Sequence, residues 1–394
     1  MTYLLITIIY AAFISLGLPD SLLGSAWPIM HTDLSVPLSY ASYISMLMSV
    51  GTVISSLMSD RLTRRFGTGR VTAFSVALTA ISLFGYSVSD SYLALLLLAI
   101  PNGIGAGGVD AALNNYVALN LQSRHMSWLH CMWGVGTVTG PYVMGYALTR
   151  GISWRFGYRT ISVMQFVLVA ILILSLPVWK KCTSRQDFDA AEESHTLSLR
   201  QVLGLPGAKH MIITFFCYCA LEITPIVWSG SYLTYTCGFS PERAASFSSM
   251  FFIGITAGRA VGGFLTYKLS DRQLIRIGGG VLALGVALLM IPGSKIFPLA
   301  GLLTLGLGCA PIYPAIMHST PEYFGRENSG AMIGVQMASA YTGFCVMPPV
   351  FGSISERLGT AIFPYAVAIL LMLMMFMHEL LVKGAKNGFK KTNK

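Results

Sequence analysis

Charge is scarce in this chain. Only 11% of its 394 residues are Asp, Glu, Lys or Arg, while 54% are hydrophobic; soluble globular domains carry about 25% charged residues. So thin a polar coat excludes an ordinary water-soluble fold. Cysteine is also rare and odd in number, at 7. Cys131, Cys217, Cys219, Cys309 and Cys345 fall inside apolar runs, which argues for small apolar fillers and against a disulfide frame. The 7 histidines are scattered, and no Ser, Cys or metal-ligand cluster has enzyme spacing, so the chain reads as a non-enzyme without cofactor or metal. A basic start and a small-residue cleavage site are missing ahead of Trp27 and Pro28. The first apolar run is therefore expected to be a retained helix rather than a signal peptide.

What the chain does have is long apolar runs. A bilayer core about 30 Å thick needs roughly 20 apolar residues per spanning helix. Such runs recur at residues 4–26, 40–58, 70–88, 92–119, 126–148, 157–178, 209–236, 241–267, 275–291, 297–317, 328–351 and 361–382. They predict an all-α membrane protein of twelve transmembrane helices in two six-helix bundles. The net charge of +10 is unevenly placed along it. Arg61, Arg64, Arg65, Arg70, Lys180, Lys181 and the tail from Lys383 to Lys394 lie on one set of alternate connections, whereas the other set carries few basic residues, such as Arg150, Lys295 and Arg357. The positive-inside rule then predicts cytoplasmic N- and C-termini in a multi-pass cell (inner or plasma) membrane protein. The basic excess faces anionic lipid, so no nucleic-acid partner is needed; the chain is expected to act as a monomer.

Lys180 to Leu205 is the only long polar insert, which predicts an N-terminal bundle at 1–179, a cytoplasmic linker at 180–206, a C-terminal bundle at 207–382 and a basic tail at 383–394. The halves echo each other. Gly136 and Pro141 of GTVTGP recur as Gly343 and Pro348 of GFCVMP, and SLMSDRLTRRFG (56–67) is echoed by GFLTYKLSDR (263–272). Two parallel repeats imply a substrate site at their interface, near the bilayer midplane. The 6+6 plan and the acidic-basic turn SDRLTRR resemble the major facilitator superfamily, over nearly the whole chain. The turn departs from the family pattern by Ser56 in place of the first Gly and by Leu62 and Thr63 between the basic clusters. Asp60 beside Arg61, Arg64 and Arg65 can make charge-assisted hydrogen bonds that hold a gate shut in one state. They could equally be plain topology-setting charges.

Asp20, Asp110 and Glu222 fall well inside the apolar runs. A charge at the bilayer centre costs roughly 2.5–3.5 kcal/mol on insertion scales, so these acids must face the protein interior. Pro19 loosens the first helix beside Asp20. Asp110 and Asn114 stand four apart on one helix face, with Asn115 about 100° away. Acid and amide together offer a ligand hydroxyl both acceptors and donors. Trp228, near Glu222 and Tyr232, adds the flat aromatic face that carbohydrate sites use, although Trp228 and Trp27 could instead be interfacial belt residues. Asp20, Asn115 and the amide of Gln336 complete the candidate substrate contacts. An acid in the first helix, Asp110 with Asn114, and Tyr218-x-x-x-Glu222 resemble the fucose/proton symporter branch. That resemblance implies Asp20 and Asp110 in proton coupling, and Asn114, Glu222 and Trp228 as ligand contacts. A structural alternative pairs one or two of the acids with Arg259 or His130.

Other signals point elsewhere. Gly103 to Gly108 spell GxGxxG, but no strand precedes them, so they read as close helix packing. GTVTGPYVMG (136–145) resembles a motif of drug/proton antiporters, and Arg259 inside a span could grip an organic anion. The reading adopted is a secondary active transporter that takes up a monosaccharide or related polyhydroxylated small molecule with a proton, by alternating access. Drug/proton antiport and organic-anion transport through Arg259 are its alternatives.

Overall fold

Inside a bilayer each unpaired backbone N–H or C=O costs several kcal/mol, and a helix satisfies all of them within one segment. The long apolar runs accordingly fold as helices in the computed structural model, which describes residues 2–20, 22–37, 40–182 and 197–388. No strand occurs among the described residues. The N-terminal half contains α1 (Thr2–Asp20), α2 (Leu22–Asp33), α3 (Ala41–Phe66), α4 (Thr68–Val88), α5 (Tyr92–Asn120), α6 (Ser123–Thr149), α7 (Trp154–Leu174) and the short α8 (Leu176–Cys182). After α9 (Leu199–Gly204) come α10 (Ala208–Tyr235), α11 (Pro241–Leu265), α12 (Asp271–Met290), α13 (Ile296–Cys309), α14 (Ile312–Phe324), α15 (Arg326–Leu358) and α16 (Phe363–Gly388). Of the expected linker, residues 183–196 lie outside the described residues, as do 389–394 of the tail.

Among the described residues, 11 helical stretches are long and apolar enough to cross a membrane. The expected span at 126–148 is also a helix, though a less apolar one than these. Its helix, α6, has 27 residues and is long enough at about 1.5 Å per residue. Its many Gly, Thr, Trp and Tyr residues, with Pro141, make it less apolar than the others even beyond its charged start. Two boundaries also differ from expectation. The segment 56–67, expected as a turn, is helical up to Phe66 and stops at Gly67, whose φ of 83° suits glycine. The run at 297–317 is split into α13 and α14 around Ala310 and Pro311, because proline supplies no N–H to the preceding turn.

The chain divides into two compact units. The first comprises Met1–Tyr116, Leu129–Leu197 and Glu327–Ala338; the second comprises Val117–Trp128, Ser198–Arg326 and Ser339–Lys394. Each unit thus takes in one short segment from the opposite half of the sequence. In the first, α4 lies along α7, and α1 also packs on α7. Gln165 of α7 ties these helices together, donating to the Ser15 carbonyl at 2.9 Å and accepting from Thr79 at 3.0 Å. Helix α5 meets α3 through the GxGxxG segment: a Cβ on Gly103 would stand 2.0 Å from the Met48 carbonyl oxygen, and one on Gly107 2.5 Å from that of Thr52. Those glycines are a packing surface, as their sequence context suggested.

In the second unit α13 packs on α11 and α12, and α10 runs along α16. Buried tyrosines cross-link these helices. Tyr218 of α10 donates to the Cys309 carbonyl at 3.0 Å, and Tyr232 to that of Leu289 at 2.9 Å. Each bond satisfies a phenol that would otherwise be an unpaired polar group in an apolar interior.

Candidate transport site and helix-end clusters

In the first unit the helical period sets the polar cluster. Asp110 and Asn114, one turn apart on α5, are in direct contact: Asn114 Nδ2 donates to Asp110 Oδ1 at 2.7 Å and to the Asp110 carbonyl at 2.9 Å. The amide is thereby oriented, so its oxygen faces His130 Nε2 of α6 at 3.1 Å. The His130 ring stands edge-on to Phe13 of α1, with 5.5 Å between centroids. Asp110 is 5% exposed and Asn114 fully buried. Asp20, at the end of α1, is by contrast exposed, and its Oδ2 accepts from Trp133 Nε1 at 2.8 Å. Asp110 lies within electrostatic reach of Asp20. Trp133 carried no sequence signal as a site residue; only its spacing from His130 on one face of α6 points to it.

In the second unit Glu222 and Arg259 form an ion pair at 3.1 Å, both 5% exposed. This is the pairing of an acid with Arg259 that the sequence left open. Burying either charge alone costs several kcal/mol, and partnership offsets that cost. Near the pair lies a cluster of rings, Phe215, Tyr218 and Tyr313, with centroids 4.9 to 6.4 Å apart. Trp228 packs against α15, donating to the Pro348 carbonyl at 3.2 Å and lying 5.3 Å from Phe351. It is half-buried. Trp27, the other belt candidate, is buried against His31 and Tyr92. Gln336, on the segment of α15 that belongs to the first unit, is fully buried.

The Asp60 motif lies at the end of α3. Arg64 Nε reaches both carboxylate oxygens of Asp60 at 3.0 Å, the i,i+4 geometry its helical position allows. The Arg64 guanidinium also donates to the Glu327 carbonyl. Asp60 is buried, and the helix start at Glu327–Gly330 closes on it so tightly that a Cβ on Gly330 would stand 2.2 Å from Asp60 Oδ1. Gly334, one turn on, has the Ser56 carbonyl at 2.4 Å from the same hypothetical atom. Asn115 joins this cluster, accepting from Ser329 Oγ at 2.9 Å, and so stands apart from the Asp110 network. Arg61 and Arg65 are exposed and outside the Asp60 contact.

A counterpart occupies the second unit. Asp271, first residue of α12, accepts from Ser123 Oγ at 2.5 Å and contacts His318 Nδ1 at 2.6 Å, while His318 Nε2 faces the Leu121 carbonyl at 3.2 Å. Arg124 donates to the Tyr267 hydroxyl at 2.8 Å, and Arg326 to the Leu119 carbonyl at 2.8 Å. Sequence reasoning quoted the Ser270-Asp271-Arg272 echo but missed Ser123 and His318, which lie far from it along the chain.

Long apolar helices with buried acids and charged clusters at helix ends define a multi-pass membrane transporter for a small-molecule substrate. The family model of the Major Facilitator Superfamily matches residues 9–337 and 211–393, and the chain belongs to that family. It is 20% identical over 393 residues to Bypass of stop codon protein 6 of Saccharomyces cerevisiae, covering 89% of this chain and 77% of that one. It is 21% identical over 320 residues to the glucose/mannose transporter GlcP of Bacillus subtilis, covering 77% of each. Two solved structures share its fold: FucP in the outward conformation, with TM-score 0.73, 14% identity and coverage of 94% and 98%, and the proton:xylose symporter XylE bound to 6-bromo-6-deoxy-D-glucose, with TM-score 0.76, 12% identity and 95% of both chains.

Proposed function

We propose that this chain is a proton-coupled symporter that takes up a monosaccharide or related polyhydroxylated molecule across the cell membrane by alternating access. The observation that carries the reading is the pairing of exposed Asp20 with buried Asp110 in the first unit, the latter held by Asn114. Two like charges within reach of each other in a membrane interior are less costly when a proton neutralises one. Asp20 is the entry point because it is accessible; Asp110 is the coupling acid. Asn114, Glu222, Trp228 and Gln336 contact the sugar, while Asp60 and Arg64 hold one gate, with Arg61 and Arg65 supplying the surrounding positive field. Asn115 is better placed with that gate than with the sugar, given its bond to Ser329. The sugar-named relatives, GlcP and XylE, support the substrate class. A proton entering down 100 mV supplies about 2.3 kcal/mol, enough for accumulation of about fifty-fold.

Organic-anion transport through Arg259 is disfavoured because Glu222 already neutralises that guanidinium. The test is uptake of a panel of radiolabelled monosaccharides into proteoliposomes under an imposed pH gradient. Wild type accumulates one sugar above equilibrium; Asp110→Asn loses accumulation but keeps sugar exchange. Full accumulation by Asp110→Asn overturns the coupling assignment, and movement of drugs or organic anions in place of every sugar overturns the substrate class.

A further inference from the structure

The ring of His318 lies between two oxygens. Its Nδ1 is 2.6 Å from Asp271 Oδ2, and its Nε2 is 3.2 Å from the Leu121 carbonyl oxygen. A carbonyl only accepts, so Nε2 carries a hydrogen. The Nδ1 contact then needs a second hydrogen, either on the ring facing a carboxylate or on the carboxyl facing the ring. Wherever it rests, the Asp271–His318 pair holds one proton more than a neutral imidazole beside an ionised carboxylate. The other carboxylate oxygen of Asp271 is taken by Ser123 Oγ at 2.5 Å, so the proton has no better place within the cluster.

The surrounding charges do not replace it. On α12 Arg272 is given to Glu322 at 2.5 Å and Arg276 to Glu379 at 2.7 Å. At the start of α6, Arg124 lies over the Tyr267 ring and bonds its hydroxyl, with His125 beside it. Tyr323, on the helix of His318, lies under Arg272. Lys209 and His210 begin α10, and Arg326 bonds the Leu119 carbonyl. Only Asp271, of these groups, is in contact with the His318 ring.

We propose that Ser123, Asp271, His318 and the Leu121 carbonyl form a proton-loaded clasp: the segment 117–128 is held on α12 and α14 only while the Asp271–His318 pair carries its extra proton. Two of its four contacts, Ser123 and Leu121, lie on that segment, and two, Asp271 and His318, lie on the helices that receive it. Closing therefore takes up one proton and opening releases one, at a place separate from Asp20 and Asp110. By linkage the closed form is favoured at low pH and lost as the pH rises. The inference stands whatever substrate is carried and whichever ion drives uptake.

Distances between spin labels on unnatural residues at Gln122 and Lys268, both exposed, test it in the full chain in nanodiscs with the native cysteines intact. From about pH 6 to about pH 8.5, bracketing the ordinary imidazole value of about 6.5, the long-distance population should grow. The long-to-short ratio should rise by up to about tenfold per pH unit, the limit for one proton. His318→Gln should favour the long distance without pH dependence. His318→Arg, a donor that does not titrate in this range, should keep the short one throughout. A flat wild-type profile, or the wild-type slope surviving in either variant, overturns the proposal.

Discussion

In the first unit the helix-end acid, Asp60, is held by Arg64; in the second, Asp271 is held by His318. Both acids contact a basic side chain, and each unit closes a helix start onto its acid: Glu327–Gly330 onto Asp60 and Ser123 onto Asp271. The basic groups differ in kind. Guanidinium stays charged throughout the physiological range, whereas imidazole does not. Duplicated halves have thus kept one fastening insensitive to pH and made the other responsive to it.

The strongest way to break that comparison is charge reversal. Asp60→Lys should lower the initial uptake rate by about tenfold or more at matched surface expression, because it places a cation against Arg64 in a buried site. An unchanged rate would reduce the Asp60 cluster to a topology signal. Next comes the buried pair of the second unit. Arg259→Leu alone leaves Glu222 uncompensated and should cost about 3–5 kcal/mol, whereas replacing both by apolar residues of similar size should be close to neutral; thermal unfolding in detergent compares them. Substituting alanine at Gly334 should cost about 1–3 kcal/mol, since the new methyl meets the Ser56 backbone oxygen, which has little room to move. The smallest effect is expected at Gly263, which stands in the second unit where the repeat has Ser56 in the first. There a Cβ meets the Trp128 side chain, which can rotate away. If Gly263→Ala destabilised as much as Gly334→Ala, the two clusters would be equally rigid and the contrast between them would fail.

The sequence shows the fold because periodicity and run length are local. Apolar stretches mark most of the helices, and the i,i+4 spacing of Asp110 with Asn114 and of Asp60 with Arg64 predicts contacts that exist. What it does not show is which distant side chains meet. Asn115 is adjacent to Asn114 yet bonds Ser329 in another helix, because a step of one residue turns it to a different face. His318 looked like one of several scattered histidines; only the folded chain puts the Leu121 carbonyl on its far side. Trp133 was similarly silent until α1 brought Asp20 to it. The run at 126–148 is legible as a helix despite its lower apolarity, because its length is that of a span.

The pairing of Glu222 with Arg259 has an electrical consequence. Opposite charges 3.1 Å apart travel together when α10 and α11 move, so their displacement through the transmembrane field does no net work. A current measured during turnover would therefore count only the ions and acids that cross without a countercharge, with no background from this pair to subtract.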